Sequence, residues 1–167
     1  MQCLLIRHGI AVPREDWGGA EPQRPLSDKG RTRTRHAAEG LARLTLKPDL
    51  ILTSPLIRAH QTAEIVQRAL GKKPPVRMCE ELMPGHPPEQ IAELLGTFPQ
   101  DHTLVCVGHE PGLGELAGLL LFGKASGGLR IRKAGACLIH CPDGAKPGRG
   151  YLEWWMPPSQ LRAIRHG

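Results

Sequence analysis

The 167-residue sequence is poor in aromatic side chains and has no long hydrophobic run. It contains one tyrosine and two phenylalanines, which are few for a protein that stacks the bases of single-stranded nucleic acid. No apolar stretch reaches the roughly 18 residues that a membrane-spanning helix needs. The N-terminal apolar run is short and lacks the basic segment that precedes the core of a signal peptide. These absences favour a cytoplasmic protein that spans no membrane.

The five cysteines are odd in number and include no pair with CxxC spacing. Cys3, Cys106 and Cys137 lie inside apolar segments, where a thiol usually behaves as a small hydrophobic side chain. Cys137 and Cys141 flank His140, but no second pair of ligands accompanies them. We therefore expect no disulfides, no metal site and no other cofactor.

Positive charge is in excess, with 22 lysines and arginines against 16 aspartates and glutamates. The net charge of +6 suggests anionic partners in general. The basic residues are spread over separate segments, at 31–35, 72–73 and 130–133. This scatter is more typical of a solvated basic surface than of a face that binds nucleic acid. We expect no nucleic-acid partner.

Short apolar runs alternate with segments of helical periodicity along the chain. The pattern predicts strands at 3–6, 50–53, 76–79, 103–107, 135–141 and 151–155. It predicts helices at 31–44, 59–70, 91–98, 112–122 and 158–164. Such alternation indicates an α/β fold of three layers, in which helices cover both faces of a mostly parallel sheet. The last two strands have no helix between them and predict one antiparallel edge. No repeat or long linker divides the chain, so we expect one domain over residues 1–167.

The tetrapeptide IRHG occurs twice, at residues 6–9 and again at residues 164–167. The first copy follows a predicted buried strand, and Gly9 allows a tight turn and the close approach of a ligand. The second copy ends a short terminal helix, where Arg165 and His166 fit the basic last turn. We therefore expect reactive chemistry at the first copy only.

Candidate reactive residues follow three of the predicted strands. Arg7 and His8 end the first strand, Arg58 lies in the first helical turn after the second, and His109 follows the strand at 103–107. In open α/β sheets, ligands bind beyond the carboxyl ends of the strands. Two arginines and two histidines are therefore expected at one rim of the sheet.

These residue types suit phosphoryl transfer without a metal. A neutral imidazole can attack phosphorus, and arginine forks can hold the charge that spreads over the equatorial oxygens. A second histidine adds a further donor if it is protonated beside the phosphate. Each of these residues could also have an ordinary structural role. Arg58, for example, could pair with Glu64 or Glu81 on the surface. Their occurrence together at the strand ends favours a site.

Five segments resemble the histidine phosphatase superfamily, which has the phosphoglycerate-mutase-like fold. They are LLIRHGIA at 4–11, RPLSDKG at 24–30, LTSPLIRAHQTAEIV at 52–66, EEL at 80–82 and VCVGHEPGL at 105–113. They run in the order that the family has. The compact length, the segment EELMPGHPPE and the ending YLEWWMPPSQL most resemble the small phosphohistidine phosphatases.

The resemblance implies a role for each residue at the predicted rim. His8 matches the nucleophile that becomes phosphohistidine. Arg7 and Arg58 match the phosphate clamp, and His109 matches the histidine that steadies the transferring group. Gly9, beside the nucleophile, is expected to contribute to substrate binding.

Two further assignments from the resemblance leave alternatives open. Glu81 lies where larger relatives carry the acid that protonates the leaving group, and Glu80 is the alternative. Ser27 is first a helix cap and second a phosphate contact. Ser54 and Thr62 are expected to be structural.

The resemblance implies a phosphatase that forms a covalent intermediate on His8. We expect its substrate to be phosphohistidine of a partner protein, such as a histidine phosphotransfer domain, and the enzyme to be a monomer. Ile10 replaces an acidic residue of many relatives, and no long insertion is available for a lid. The open site that this implies suits a protein-borne phosphoryl group better than an enclosed sugar phosphate, and for the same reason we expect no mutase activity. The alternatives are a broad phosphomonoesterase acting on small phosphate esters, which would need Glu81, and a non-catalytic module that binds phosphoproteins.

Overall fold

The computed structural model describes residues 1–44, 46–71 and 73–165. Within these ranges the strands are β1 (Gln2–Arg7), β2 (Leu50–Thr53), β3 (Val76–Met78), β4 (Thr103–Gly108), β5 (Ala136–His140) and β6 (Tyr151–Met156). The α-helices are α1 (Asp28–Ala42), α2 (Ile57–Ala69), α3 (Pro88–Gly96), α4 (Gly112–Phe122) and α5 (Pro158–Ile164). Short 3₁₀ turns at Glu21–Gln23 and Glu80–Leu82, which periodicity did not predict, complete the set.

The six strands form one sheet in the order β3-β2-β4-β1-β5-β6. The four strands from β3 to β1 are parallel to one another. β5 runs antiparallel to both of its neighbours, β1 and β6. The prediction of a mostly parallel sheet with an antiparallel edge is confirmed.

Helices cover both faces of the sheet, as predicted. Cys3 and Leu5 of β1 belong to the apolar cluster that includes residues of α3 and α4. Leu4 and Ile6 belong to the opposite cluster, with residues of α1, α2 and α5. Successive side chains of a strand point to opposite faces, so a strand buried on both sides is continuously apolar. This is why β1 carries the run CLLI instead of an alternating pattern.

Helix boundaries differ from the predicted ones by a few residues, for local reasons. α1 begins at Asp28 because the Ser27 hydroxyl accepts a hydrogen bond from the Gly30 backbone N–H at 3.1 Å, which confirms the predicted cap. α3 begins at Pro88, three residues earlier than predicted, since proline fits the first turn of a helix.

The remaining expectations concern cysteines, metals and membranes. All five cysteines are free and buried. The described residues contain no group of three or more His, Cys, Asp or Glu side chains that could hold a metal ion. No helix in the described ranges is both long enough and apolar enough to cross a membrane.

Close packing of α1 against α5 generates a stability prediction. A methyl group on Gly40 of α1 would overlap the backbone carbonyl of Leu161 in α5, whereas one on Gly96, which ends α3, would meet nothing within 4 Å. We expect Gly40→Ala to lower the free energy of unfolding by about 1–3 kcal/mol, the usual cost of overpacking. Gly96→Ala is the control and should be neutral or stabilise by up to about 1 kcal/mol, because alanine has the higher helix propensity. Urea unfolding of both variants checks this, and equal transition midpoints would refute the close packing.

Candidate active site

The strand register brings the carboxyl ends of β1, β2 and β4 to one rim of the sheet. Arg7 pairs with Gly108 across β1 and β4, and Thr53 pairs with Val107 across β2 and β4. Backbone hydrogen bonds continue one residue past the strands. The His8 N–H donates to the Gly108 carbonyl at 3.0 Å, and the Ser54 N–H donates to the Val107 carbonyl at 3.0 Å. The backbone of the rim is therefore fixed by the sheet itself.

His8 and His109 lie side by side at this rim. Their ring centroids are 4.9 Å apart, and the residues are 8% and 5% exposed. His8 Nδ1 lies 2.7 Å from the carbonyl oxygen of Gly9. A carbonyl can only accept, so Nδ1 carries the hydrogen and donates it. Nε2 of the neutral His8 ring therefore carries the lone pair that a nucleophile needs.

Both imidazoles are neutral at physiological pH in the unliganded protein. Burial is the largest cause that lowers the pKa of His8 to about 4, and the charges of Arg58 and Arg7 lower it further, against the opposing effect of the Gly9 carbonyl. Burial likewise lowers the pKa of His109 to about 3, assisted by His8 and the same two arginines. The sequence analysis expected His109 to be a further donor if it is protonated beside a phosphate. Because the free ring is neutral, we expect that protonation only when a phosphoryl group is bound.

His109 is oriented by Ser54. A hydrogen bond of 2.9 Å joins His109 Nε2 and the Ser54 hydroxyl. The Ser54 oxygen also accepts from the Leu56 backbone N–H at 3.3 Å, which fixes the hydroxyl at the start of α2. Ser54 was expected to be structural, and its structural contact is with the second histidine of the site.

The two arginines approach the histidines from different elements. Arg7 Nη1 donates to the Ile131 carbonyl at 3.1 Å. Arg58, which is 4% exposed, donates through Nη1 to the Glu21 carbonyl at 3.2 Å. The Nε atoms of both arginines are buried and have no partner among the described residues. Arginine stays charged in proteins, so these guanidinium groups suit the oxygens of a phosphoryl group.

Glu21 is the first carboxylate that the sequence reasoning missed. It accepts two hydrogen bonds of 2.9 Å from Arg24, and its Oε1 lies 3.3 Å from Arg58 Nη2. The hydrogen bonds from Arg24 are the largest cause that lowers the pKa of Glu21 to about 2. Glu21 therefore stays ionised and cannot donate the leaving-group proton. Glu21 forms the ion pair with Arg58. The sequence analysis had considered Glu64 or Glu81 as the partner of Arg58. The only sequence signal for this role was that Glu21 and Arg24 are three positions apart, a spacing at which an acid and a base can pair.

Glu110 is the second carboxylate that was missed. Its Oε1 accepts from the Ile131 backbone N–H at 2.7 Å, and the Ile131 carbonyl in turn accepts from Arg7. Burial raises the pKa of Glu110, while its contacts with Ile131 and Arg7 oppose the rise. Glu110 thus holds the backbone segment that positions Arg7.

Gly9 and Thr62 connect the end of β1 to α2. The Gly9 N–H donates to Thr62 Oγ1 at 3.0 Å, and the Thr62 hydroxyl donates to the Arg58 carbonyl at 2.8 Å. A methyl group at Gly9 would overlap the Thr34 hydroxyl oxygen. The described role of Gly9 is close packing, and its contact with substrate stays a prediction.

The remaining residues that the sequence analysis considered are Ser27, Glu81, Glu80 and His166. The Ser27 hydroxyl is engaged in the cap of α1 and also donates to the Ile10 carbonyl at 3.3 Å, so its contact with phosphate stays a prediction. Glu81 is half-buried on the second 3₁₀ turn, and Leu82 lines a small pocket together with His109. Glu81 itself does not line that pocket, and Glu80 is exposed, so the role of either as the acid stays a prediction. His166, from the second IRHG copy, lies outside the described residues.

Comparison with known sequences places the chain among phosphatases. The family model described as histidine phosphatase superfamily (branch 1) matches residues 3–86, which include Arg7, His8, Arg58 and Glu81 but not His109. An uncharacterized protein of Picosynechococcus sp. is 42% identical over 138 residues, which cover 81% of this chain and 82% of that protein. The serine/threonine-protein phosphatase Pgam5, mitochondrial, of Drosophila mojavensis is 33% identical over 85 residues. That match covers 50% of this chain and 28% of the Pgam5 protein.

Solved structures share the fold over nearly the whole chain. The protein histidine phosphatase SixA complexed with tungstate superposes with a TM-score of 0.84 at 24% identity, and covers 96% of this chain and 99% of that one. A SixA protein from Agrobacterium tumefaciens superposes with a TM-score of 0.76 at 21% identity, over 94% of this chain and 97% of that one. The predicted phosphoglycerate-mutase-like fold class is confirmed.

The buried neutral histidines generate a pH prediction for stability. The folded pKa of His8 is about 4 and the ordinary value is 6.5, so the unfolded chain binds more protons between these values. Stability is therefore full above pH 6.5 and falls as the pH drops through this window, by up to about 1.4 kcal/mol per pH unit for each histidine. Between pH 6 and 4.5, His8→Gln should lower the slope of the free energy of unfolding against pH by up to about 1.4 kcal/mol per pH unit. Urea unfolding in phosphate-free chloride buffers measures both slopes, and equal slopes would show that His8 is not buried neutral.

Proposed function

The chain belongs to the histidine phosphatase superfamily, and we propose that it hydrolyses phosphohistidine of a partner protein through a covalent intermediate on His8. The observation that carries this proposal is the state of His8, a buried neutral imidazole whose Nε2 lone pair is free while Nδ1 is bonded to Gly9. Such a ring is a nucleophile at physiological pH without a general base.

In the first step, His8 Nε2 attacks the phosphorus atom and the bond between phosphorus and the substrate nitrogen breaks. Negative charge spreads over the three equatorial oxygens as this happens. Arg7 and Arg58 supply fixed positive charge for these oxygens, and their unpartnered Nε atoms are the donors that we assign to this task. His109 lies 4.9 Å from His8, centroid to centroid, and this proximity supports the contact with the same phosphoryl group that we assign to it.

In the second step, water attacks the phosphorus atom of phosphohistidine on His8. The bond between phosphorus and Nε2 breaks, inorganic phosphate leaves, and the ring returns to its neutral form. The hydrogen bond from Nδ1 to the Gly9 carbonyl persists through both steps and keeps the ring in one orientation. All four reactive side chains come from one chain, so we propose that a monomer is sufficient.

The choice of phosphohistidine over phosphate esters rests on the leaving group. A protonated imidazole leaves easily, whereas an alkoxide needs a proton from an acid in the transition state. Glu21 is ionised and is held by Arg24 and Arg58, so it does not supply a proton readily. Three structures of the same fold carry the name SixA, and one of them is called a protein histidine phosphatase.

A phosphomonoesterase is the second candidate, and the location of Glu81 favours it. Glu81 lies on a turn that reaches the neighbourhood of His109, and no hydrogen bond within the described residues occupies its carboxylate. A carboxylate in this place could protonate the oxygen of an ester leaving group. Pgam5, which matches half of the chain, is named as a serine/threonine-protein phosphatase.

Replacement of the nucleophile tests the proposed chemistry. We expect His8→Ala to lower kcat/KM for a phosphohistidine peptide by at least roughly 1,000-fold, because the covalent step is lost. His140→Ala is the matched control, since His140 pairs with Gln2 at the opposite rim of the sheet and should leave activity unchanged. Both assays contain EDTA. Activity in His8→Ala, or loss of wild-type activity in EDTA, would contradict a metal-free histidine nucleophile.

A change at Glu81 separates the two candidate functions. Glu81→Gln should leave phosphohistidine turnover within about threefold and lower turnover of a phosphoserine peptide by about 100-fold or more, the usual contribution of a general acid. Glu80→Gln, on the neighbouring exposed side chain, is the control and should affect neither substrate. An equal large loss on both peptides would make Glu81 essential for the proposed reaction, and no loss on either would remove it from the site.

A further inference from the structure

The loop between α4 and β5, residues 123–135, carries a concentration of positive charge and is called the basic loop below. The sequence from residue 116 to residue 142 contains no aspartate or glutamate. Within this stretch the basic side chains are Lys124, Arg130, Arg132 and Lys133. Three of these four residues form the basic segment 130–133 that the sequence shows.

The basic loop is fixed to the catalytic rim by backbone hydrogen bonds. The Ala134 N–H lies 3.1 Å from the Arg7 carbonyl and 3.2 Å from the His8 carbonyl. Ile131 is fully buried, and its backbone bonds both to the Glu110 carboxylate and to the Arg7 guanidinium. The backbone of the loop is therefore anchored next to the nucleophile.

Three basic side chains of the loop are exposed and form no ion pair within the described residues. Arg130, Arg132 and Lys133 are exposed, and none of them forms an ion pair in the described part of the chain. On the other side of the rim, by contrast, Arg24 is paired with Glu21. The Lys133 charge reaches the site, since it contributes to the lowered pKa of His8.

A cleft of about 370 Å³ lies between the basic loop and the rim. One wall consists of Arg7, Glu110 and Pro111. The other wall consists of loop residues Ser126, Gly127, Leu129 and Arg130. The volume falls in the range of small-ligand sites, and Arg7 belongs both to the cleft and to the proposed phosphate clamp. The cleft therefore adjoins the phosphate clamp through Arg7, and His8 is not one of its lining residues.

We infer that the basic loop is the docking surface for an acidic protein surface that surrounds the phosphohistidine, beside the cleft that adjoins the phosphate clamp. The inference rests on the proposed function. It follows from charge complementarity, because three exposed cations fixed beside the nucleophile attract a partner with carboxylates around the phosphorylated residue. Arg7 and Arg58 recognise the phosphoryl group itself, and the basic loop selects the protein that carries it.

Two synthetic peptides and one small molecule test this docking surface. The peptides carry a central phosphohistidine flanked on each side by two glutamates or, in the matched peptide, by two glutamines. Phosphoramidate, whose leaving group is ammonia, reports the chemistry without reaching the loop. For the wild type at low salt, we expect kcat/KM for the glutamate peptide to exceed that for the glutamine peptide by about tenfold. In 0.5 M NaCl the ratio should approach one, because salt screens exposed charges.

Charge reversal locates the effect on the basic loop. Lys124→Glu with Arg132→Glu changes two exposed side chains of the loop that do not line the cleft. It should lower kcat/KM for the glutamate peptide at least tenfold, and for the glutamine peptide and phosphoramidate by no more than about twofold. Lys47→Glu with Lys146→Glu is the matched control. It makes the same change in net charge on exposed residues, one before β2 and one after β5, at the opposite rim. This control should not alter the preference.

The outcomes separate the docking surface from the proposed function. Failure of the wild type to hydrolyse any of the three substrates would overturn the proposed function. Equal use of the two peptides by an active wild type would overturn the docking inference and leave the function standing. An equal loss of preference in the loop variant and in the control variant would show a general charge effect, which also overturns the docking inference.

Discussion

The hydrogen-bond ladder between three parallel strands, β1, β4 and β2, determines where every reactive group lies. The ladder continues through the backbone N–H groups of His8 and Ser54 after the strands end. Because the carboxyl ends of parallel strands meet at one edge, residues from distant parts of the sequence arrive at the same rim. Arg58 and His109 come to His8 across 50 and 101 residues of chain, respectively, without any local sequence signal of their contact.

Burial at this rim explains the chemistry that we propose. Removal from water disfavours the charged form of an imidazole, which keeps both histidines neutral. The same burial disfavours the two guanidinium groups, and each has a carboxylate nearby. Glu21 contacts Arg58 directly, and Glu110 reaches Arg7 through the backbone of Ile131. The carboxylates hold the arginines in place, and the arginine Nε atoms have no partner in the part of the chain that the structure describes.

Much of the fold and the core of the site could be predicted from the sequence. The apolar runs and helical periods marked all six strands and all five helices to within a few residues, and Ser27 was recognised as a cap because capping is local. Glu21 and Glu110 could not be assigned in this way. Glu21 contacts a residue 37 positions away and Glu110 one that is 21 positions away, and on sequence alone neither differs from a surface glutamate.

The central claim is that Nε2 of His8 carries the phosphoryl group between the two steps. The most direct measurement is to quench the enzyme within milliseconds of mixing with a radiolabelled phosphohistidine peptide, in alkaline denaturant that preserves phosphohistidine, and to map the label. The account predicts about one phosphoryl group per chain in the burst. The label should be on His8, and on its Nε2 atom, because Nδ1 is bonded to the Gly9 carbonyl. Label on Nδ1, on another residue or on no residue at all would contradict the account.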